Sequence, residues 1–564
     1  MAILGINTSG FHSSACLIVD GEIKCAITEE RISRVKRDKN FPLKSIDYCC
    51  RTAGISEDEI TDIYIGWNPA CYMYKSDNTL NEALKDRGKI AYLSMNELSI
   101  AKQEQITSIR QSIESKSGSW DIHFVNHHEA HLSNSFVSSN FTEADFIIAD
   151  GFGENTTGMC GSVSANSINV LSEFKFPHSL GSFYATFTEF LGFKPNGDEW
   201  KVMALASLGD PEKYYSKIKS LVKVSDIGIE LDLSYFEYYL FFTEHYYSAK
   251  FVEQFGQPVC GLDGLTQYHY DLVAALQKVS EDVIAELLTN LHAKTGSNNL
   301  VVSGGFFMNS VMNGKLVNMT PYSSIYIGGS PDDSGISIGA ALYGLVYDKK
   351  HNLRMDLSKQ NYFGREYNTD EIIRELDKRK ISYNIVKDVE LYAARKISER
   401  NVVGWFQGKS EFGQRALGNR SILADPTCDK IKDIVNASIK YREGFRPFAP
   451  SVLEESQSKY FDNDQDSYFM EKVFMFKEGV RDKLPGVVHF DGTGRLQTVS
   501  EEQNPRYHRL IQECGKIYGF YIVLNTSFNI NVMPLVESPA DAINCFFQSG
   551  MDYLIMENVV VKKC

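Results

Sequence analysis

Three stretches in the first third and middle of the chain run from an apolar strand directly into a polar, glycine-rich turn, and this pattern restricts the fold more than any other feature. "AILGINTSG" opens the sequence, "ADFIIADGFGENTTGMC" begins at residue 144, and "NNLVVSGGFFMNSVMNGKL" begins at residue 298. Strands that each bring such a turn to one sheet edge indicate an α/β domain with a nucleotide held between two halves. At the first turn Asn7, Thr8, Ser9 and Gly10 are small or hydroxylic, which leaves backbone amides open to an anion. Two further strands, "SSACLIVDG" and "EIKCAITEERISR", follow, then the helix-spaced run "FPLKSIDYCCRTAG", which a glycine stops. This domain closes near "SIGAALYGLVYDKK", and the polar stretch at 348–371 reads as a linker. The expected domains are therefore 1–355 and 356–564. In the second, "EIIRELDKRK" and "AARKISERN" have helical spacing, whereas "VVGWFQGKS" and "GFYIVLNTSFNI" read as strands.

Composition narrows the function classes. A chain of 564 residues exceeds what one core supports. Its net charge of −14 provides no bulk attraction to nucleic acid or to an anionic membrane, so neither is expected as a partner; small anionic ligands remain open. The eleven cysteines are odd in number and contain no CxxC pair, which argues against a disulfide framework or a cysteine zinc site and for a cytoplasmic location. No apolar run reaches the roughly 20 residues of a membrane helix. The N-terminus lacks the basic start of an export signal.

Two clusters carry chemistry. In "VNHHEAHLSNSF" (125–136), His127 and His131 are four residues apart and share one helix face, while His128 is turned about 100° away. The pattern is not the HExxH of zinc proteases, because Glu129 is off the face a general base would need. Asp150 ends the next strand, and Asp332 and Asp333 occupy another strand-end turn, so two imidazoles and one or two carboxylates can meet. Such mixed ligation suits iron, zinc or manganese. The second cluster gathers Arg415, Arg420, Lys440, Arg442 and Arg446 within residues 407–451 of an acidic protein, with few acidic residues at helical spacing. Guanidinium groups with a lysine point charge are what a phosphate or acyl phosphate requires. Beyond them "NTSFN" sets Asn525, Ser527 and Asn529 on one face of an extended segment, a candidate ligand wall.

With these residues in view, the chain resembles the O-carbamoyltransferases of nodulation-factor and antibiotic biosynthesis almost from end to end. The resemblance is carried by "SGFHSSACLIVDG", "HHEAHLS", "DGFGENTT", "GDEWKVMALAS", "SGGFFMNSVMNGKL", "DDSGISIGAAL", "FQGKSEFGQRALGNRSILADP", "IKYREGFRPFAPSVLEE", "DGTGRLQTV" and "VLNTSFNINVMPLVESPADAI". It implies an α/β fold: an N-terminal domain of the actin and sugar-kinase type, similar to the enzyme that transfers threonylcarbamoyl to tRNA, and a C-terminal YrdC-like domain. The implied reaction combines carbamoyl phosphate with ATP to give carbamoyl-adenylate, and then moves the carbamoyl group to a hydroxylated small-molecule acceptor. Lys440, Arg446, Ser527 and Asn529 would hold carbamoyl phosphate, joined by Arg415 and Arg495. His127, His131, Asp150 and Asp333 would hold a metal, iron by resemblance, with magnesium accompanying ATP.

Gly304, Gly305 and Asn309 would form the nucleotide turn, where glycine lets backbone approach the ligand. Lys201 either reaches phosphate or makes a structural salt bridge. His12 would be the general base for the acceptor hydroxyl, since an imidazole titrating near pH 6.5 suits that task, or else a packing residue. Three positions depart from the family's pattern: Ser13 replaces an aspartate beside His12, Asp332 replaces a glycine, and "NVMPLV" replaces "GEPIV" after Asn529. The rich run of Tyr and Phe at 231–248 either lines the acceptor pocket or belongs to the core. A homodimer is plausible for a chain of this size. The rival readings are threonylcarbamoyl transfer to tRNA and a non-catalytic binding protein on the same fold.

Overall fold

The computed structural model describes residues 1–69, 110–114, 119–240, 243–259, 264–442, 446 and 448–563. Two compact units result: Met1–Ser9 with Asp58–Arg354, and Gly10–Glu57 with Met355–Cys564. Residues 10–57, expected in the N-terminal domain, cluster with the C-terminal residues.

In the first unit β1 (Ala2–Asn7), β4 (Asp62–Ile65) and β6 (Ser119–Phe124) run parallel, with Ile3 opposite Asp62 and Asp62 opposite Asp121; β5 (Arg110–Glu114) lies antiparallel to β6. A second sheet has the order β13 (Ser324–Ile327), β12 (Asn299–Ser303), β7 (Glu143–Gly153), β8 (Thr156–Ser164), β9 (Ile168–Lys175). Here β12 is parallel to both β13 and β7, whereas β7, β8 and β9 form an antiparallel meander. The central strand β7 is buried on both faces from Ala144 to Asp150, as its nearly continuous apolar reading requires. A short ribbon, β10 (Val222–Ser225) with β11 (Gly228–Leu231), completes the strands of this unit among the described residues.

Along the chain, a strand, a hairpin and two later parallel strands occur twice: β1 is followed by a hairpin, then β4 and β6, as β7 is followed by β8 and β9, then β12 and β13. This repetition fits the actin and sugar-kinase type. Helix α1 (His127–Ser138) lies against α4 (Ile336–Tyr343), and the contact is possible because residue 339 is glycine: a Cβ there would stand 1.9 Å from the Ala130 carbonyl oxygen. The long α2 (Gln267–Thr295) starts at a reciprocal cap between Thr266 and His269 and stops at Gly296, whose φ is +71°. With α3 (Ser310–Met319) it covers a core that includes Phe187, Phe190, Leu276, Leu288 and Phe307. Phe236, Tyr239 and Tyr247 of the aromatic run at 231–248 are buried in that same core; Phe241 and Phe242 lie outside the described residues.

The second unit begins with the hairpin β2 (Ser14–Val19) and β3 (Glu22–Thr28), closed by Asp20 and Gly21 at φ +53° and +81°, the positive angles that an Asp-Gly pair supplies. The nine-stranded sheet has the order β14 (Asn384–Ile385), β22 (Val559–Lys562), β21 (Tyr553–Met556), β15 (Val403–Phe406), β16 (Arg420–Ala424), β20 (Ile522–Ser527), β17 (Ala449–Leu453), β19 (Thr493–Val499), β18 (Lys472–Met475). Both faces are covered, since alternate residues enter different cores: Val403, Trp405, Leu423 and Val523 enter one, and Phe406, Ile422, Ala424 and Leu524 the other. This is the α/β part that the resemblance places at the C-terminus. Among the described residues no helix is long and apolar enough to cross a membrane.

Candidate functional site

In the first unit His127, His131, Asp150 and Asp333 converge, each buried and each offering one atom within 4.8 Å of the others. Helix α1 presents both imidazoles on one face, with ring centroids 4.7 Å apart and planes at 86°. Their Nε2 atoms lie 3.2 and 3.1 Å from Asp150 Oδ2, and 3.7 and 3.6 Å from Asp333 Oδ1. Ligands on bonds of about 2.1 Å to one ion stand roughly 3.0–3.5 Å apart, so the four atoms are spaced to hold a metal. His128 points elsewhere, its Nδ1 2.8 Å from Thr156 Oγ1, and burial with His127 nearby holds its pKa well below the usual value.

The carboxylates are fixed from behind. Gly151 and Gly305 donate their N–H groups to Asp150 Oδ1 at 2.7 and 3.2 Å, leaving Oδ2 for the imidazoles. Ser9 Oγ donates to Asp333 Oδ2 at 2.7 Å, and Asn7 Nδ2 to the Asp333 carbonyl at 2.7 Å. Asp332 accepts from Ser334 Oγ instead, so of the adjacent pair it is Asp333 that faces the histidines. Burial pushes the Asp150 pKa up, but the two imidazoles overcome this and hold it well below the carboxylate range. For His131 burial works downward, and hydrogen bonds to Asp150 and Asp333 carry the value up to about 9. Glu154 accepts from the N–H of His127 at the start of α1, a contact the sequence did not suggest.

Gly304 has φ +96°, and a Cβ there would stand 2.2 Å from the Ala149 oxygen; glycine therefore lets β12 approach the Asp150 strand. Asn309 caps α3 through Met312 N–H and donates to Gln277 Oε1 at 2.9 Å. Lys201 lies 3.2 Å from Asp198 Oδ2.

In the second unit Lys440 is buried at 3% exposure, at the end of the wide helical turn Asn436–Lys440 and before Tyr441, whose φ is +48°. Its Nζ donates to Ser527 Oγ at 3.1 Å, Asn529 Oδ1 at 2.8 Å and Asn529 O at 3.0 Å, and also to the Ser527 carbonyl. All these acceptors are neutral. Burial lowers the Lys440 pKa well below its usual value, and the neighbouring Arg442, Arg446 and Lys36 add to the fall. Arg495 on β19 is half-buried, and desolvation with the charges of Arg415 and Arg442 lowers its pKa well below the usual value. Sequence-expected Arg415, Lys440, Arg446, Arg495, Ser527 and Asn529 thus share one unit, and the charge of Arg442 acts on both Lys440 and Arg495. Residues 443–445 and 447 of this motif lie outside the described residues.

His12 belongs to the second unit and is half-buried, and Glu30 of the same unit pairs with Lys36 at 3.0 Å. Asn525 departs from the expected wall. It is 1% exposed and its amide donates to Ala416 O, Ser451 Oγ and Gln497 Oε1 at 3.0, 3.1 and 2.8 Å, so it faces the interior. The register of β20 explains this, since Asn525 stands opposite Leu423 and Ala449 in the middle of the sheet, while Ser527 lies at the strand end.

The family model of the carbamoyltransferase N-terminus matches residues 2–342, and that of the carbamoyltransferase C-terminus matches residues 394–563. The chain belongs to the carbamoyltransferase family. This carbamoyltransferase is 34% identical over 566 residues to nodulation protein NolNO of Sinorhizobium fredii, covering 99% of this chain and 80% of the relative. It is 34% identical over 448 residues to nodulation protein NolO of Bradyrhizobium diazoefficiens, covering 78% and 79%. An uncharacterised protein of Synechocystis, sll1178, is 34% identical over 597 residues, covering 100% and 96%. The carbamoyltransferase is accordingly an enzyme whose family implies carbamoyl phosphate and an acceptor as substrates.

Proposed function

We propose that this carbamoyltransferase is an ATP-dependent O-carbamoyltransferase: residues 356–564 activate carbamoyl phosphate as carbamoyl-adenylate, and residues 1–355 deliver the carbamoyl group to a hydroxyl of a small natural product or sugar. The observation that carries the reading is Lys440, a buried cation bonded to neutral acceptors and crowded by Arg442 and Arg446. An ammonium so placed costs several kcal/mol in an empty site, roughly, and becomes favourable when an anion enters. Arg415, Arg446 and Arg495 add charge for the same carbamoyl phosphate, whose phosphate guanidinium groups suit.

In the first step carbamoyl phosphate loses its phosphoryl group to water, the carbamate oxygen attacks the α-phosphorus of ATP, and pyrophosphate leaves. In the second the acceptor hydroxyl attacks the carbonyl carbon, AMP departs with the bonding pair, and His12 takes the hydroxyl proton. A neutral alcohol needs such a leaving group and a site from which water is excluded. A metal held by His127, His131, Asp150 and Asp333, iron by resemblance, would supply positive charge that orients the nucleotide phosphates. Gly304, Gly305, Asn309 and Lys201 are assigned to the nucleotide itself.

Incubation with ATP, carbamoyl phosphate and a panel of hydroxylated acceptors should release AMP and pyrophosphate, with a mass gain of one carbamoyl group on the acceptor. Release of ADP alone would contradict the adenylate route.

A further inference from the structure

The loop that carries Arg415 is shaped by a carboxylate with no part in the chemistry above. Glu411 is 2% exposed, and its Oε1 accepts three backbone N–H groups, from Leu417 at 2.7 Å, Asn419 at 2.8 Å and Arg420 at 3.0 Å. Residues 411–420 are thereby closed into a ring with Arg415 at its far side. Three ties hold the ring in place. Arg31, 2% exposed, donates through Nη2 to the carbonyls of Glu411 and Gly413 at 2.9 and 2.8 Å. Asn525 donates to Ala416 O at 3.0 Å, next to Arg415. Gln497 donates to Leu417 O at 2.8 Å.

The last two ties come from strands that also carry anion-site residues. Asn525 is two residues before Ser527 on β20, and Gln497 two residues after Arg495 on β19, so each pair lies on one side of its strand. Asn525 and Gln497 are bonded to each other at 2.8 Å, and both to Ser451 of β17. One buried amide pair therefore fixes Arg415, Arg495 and Ser527 in register. We infer that Glu411 and Asn525 are positioning residues that aim Arg415 at the carbamoyl phosphate held by Lys440 and Ser527.

The inference rests on the proposed anion site, and a double-mutant cycle separates the two. Carbamoyl phosphate affinity would be measured by calorimetry on the full chain for Glu411→Gln, Asn525→Ala, Arg415→Ala and the two doubles, with far-UV circular dichroism and Tm to establish folding. Glu411→Gln keeps the shape and an acceptor oxygen, so it is the variant that folds if Asn525→Ala does not. Each positioning variant should weaken binding about tenfold in the parent and less than about twofold in the Arg415→Ala background. The same tenfold loss in both backgrounds, or no loss in the parent, overturns the inference. If Arg415→Ala itself binds as the parent does, Arg415 is no ligand and the failure lies in the site assignment.

Discussion

Lys440→Met should abolish carbamoyl phosphate activation while leaving the fold at least as stable as before. Truncating one partner of a buried, hydrogen-bonded charge pair costs roughly 2–5 kcal/mol, or about 30- to 5,000-fold in affinity for the anion. The parent protein is in the opposite position when no anion is bound. Lys440 is 3% exposed, its Nζ bonded only to neutral oxygens, and Arg442, Arg446 and Lys36 repel it. Removing that charge relieves repulsion, which offsets the hydrogen bonds lost at Ser527 and Asn529. AMP formation should thus fall by about 30-fold or more with Tm unchanged or raised. A structural lysine would behave the other way, with Tm falling and activity following it. Stability lost in proportion to activity would therefore remove Lys440 from the binding site.

The second large effect concerns the histidine pair. His131→Ala removes one of four converging ligand atoms, and metal content and carbamoyl transfer should fall together by about a hundredfold or more, beyond the 10- to 100-fold typical of outer groups. The parent's affinity should also depend on pH in a fixed sense. With its Nε2 proton shared toward Asp150 and Asp333, His131 titrates at about 9 without a metal, so the ion must displace that proton. Affinity should rise with pH up to about 9 and level off above it, with protons released on binding, since pairing with Asp333 and Asp150 raises the His127 pKa as well. Elemental analysis of the variant and calorimetry of the parent in two buffers of different ionisation enthalpy measure both. Unchanged metal content in His131→Ala would remove that ligand.

Much of this was legible along the chain, for physical reasons particular to each element. The i, i+4 spacing of His127 and His131 needs only a helix to bring two imidazoles together. The Gly54 stop is a local signal of the same kind. Contacts made across long separations were not legible. Asn525 alternates with Ser527 and so reads as part of the ligand wall, yet its place in the middle of a nine-stranded sheet buries it against Gln497 and Ser451. Glu411 looks like one charge in a basic stretch, and only the closed loop shows that it collects three amides. Residues 10–57 continue the first strand in sequence, but Arg31 bonds the carbonyls of Glu411 and Gly413 and Arg34 those of Pro534 and Leu535, so the segment groups with the C-terminal chain.

The most direct test of the central claim is a crystal structure of the protein soaked with carbamoyl phosphate. The account predicts the phosphate against Lys440 and Arg446, within hydrogen-bond distance of Ser527 and Asn529, with Arg415 turned toward it. Density for the ligand elsewhere, with Lys440 still bonded only to its present neutral acceptors, would contradict the account.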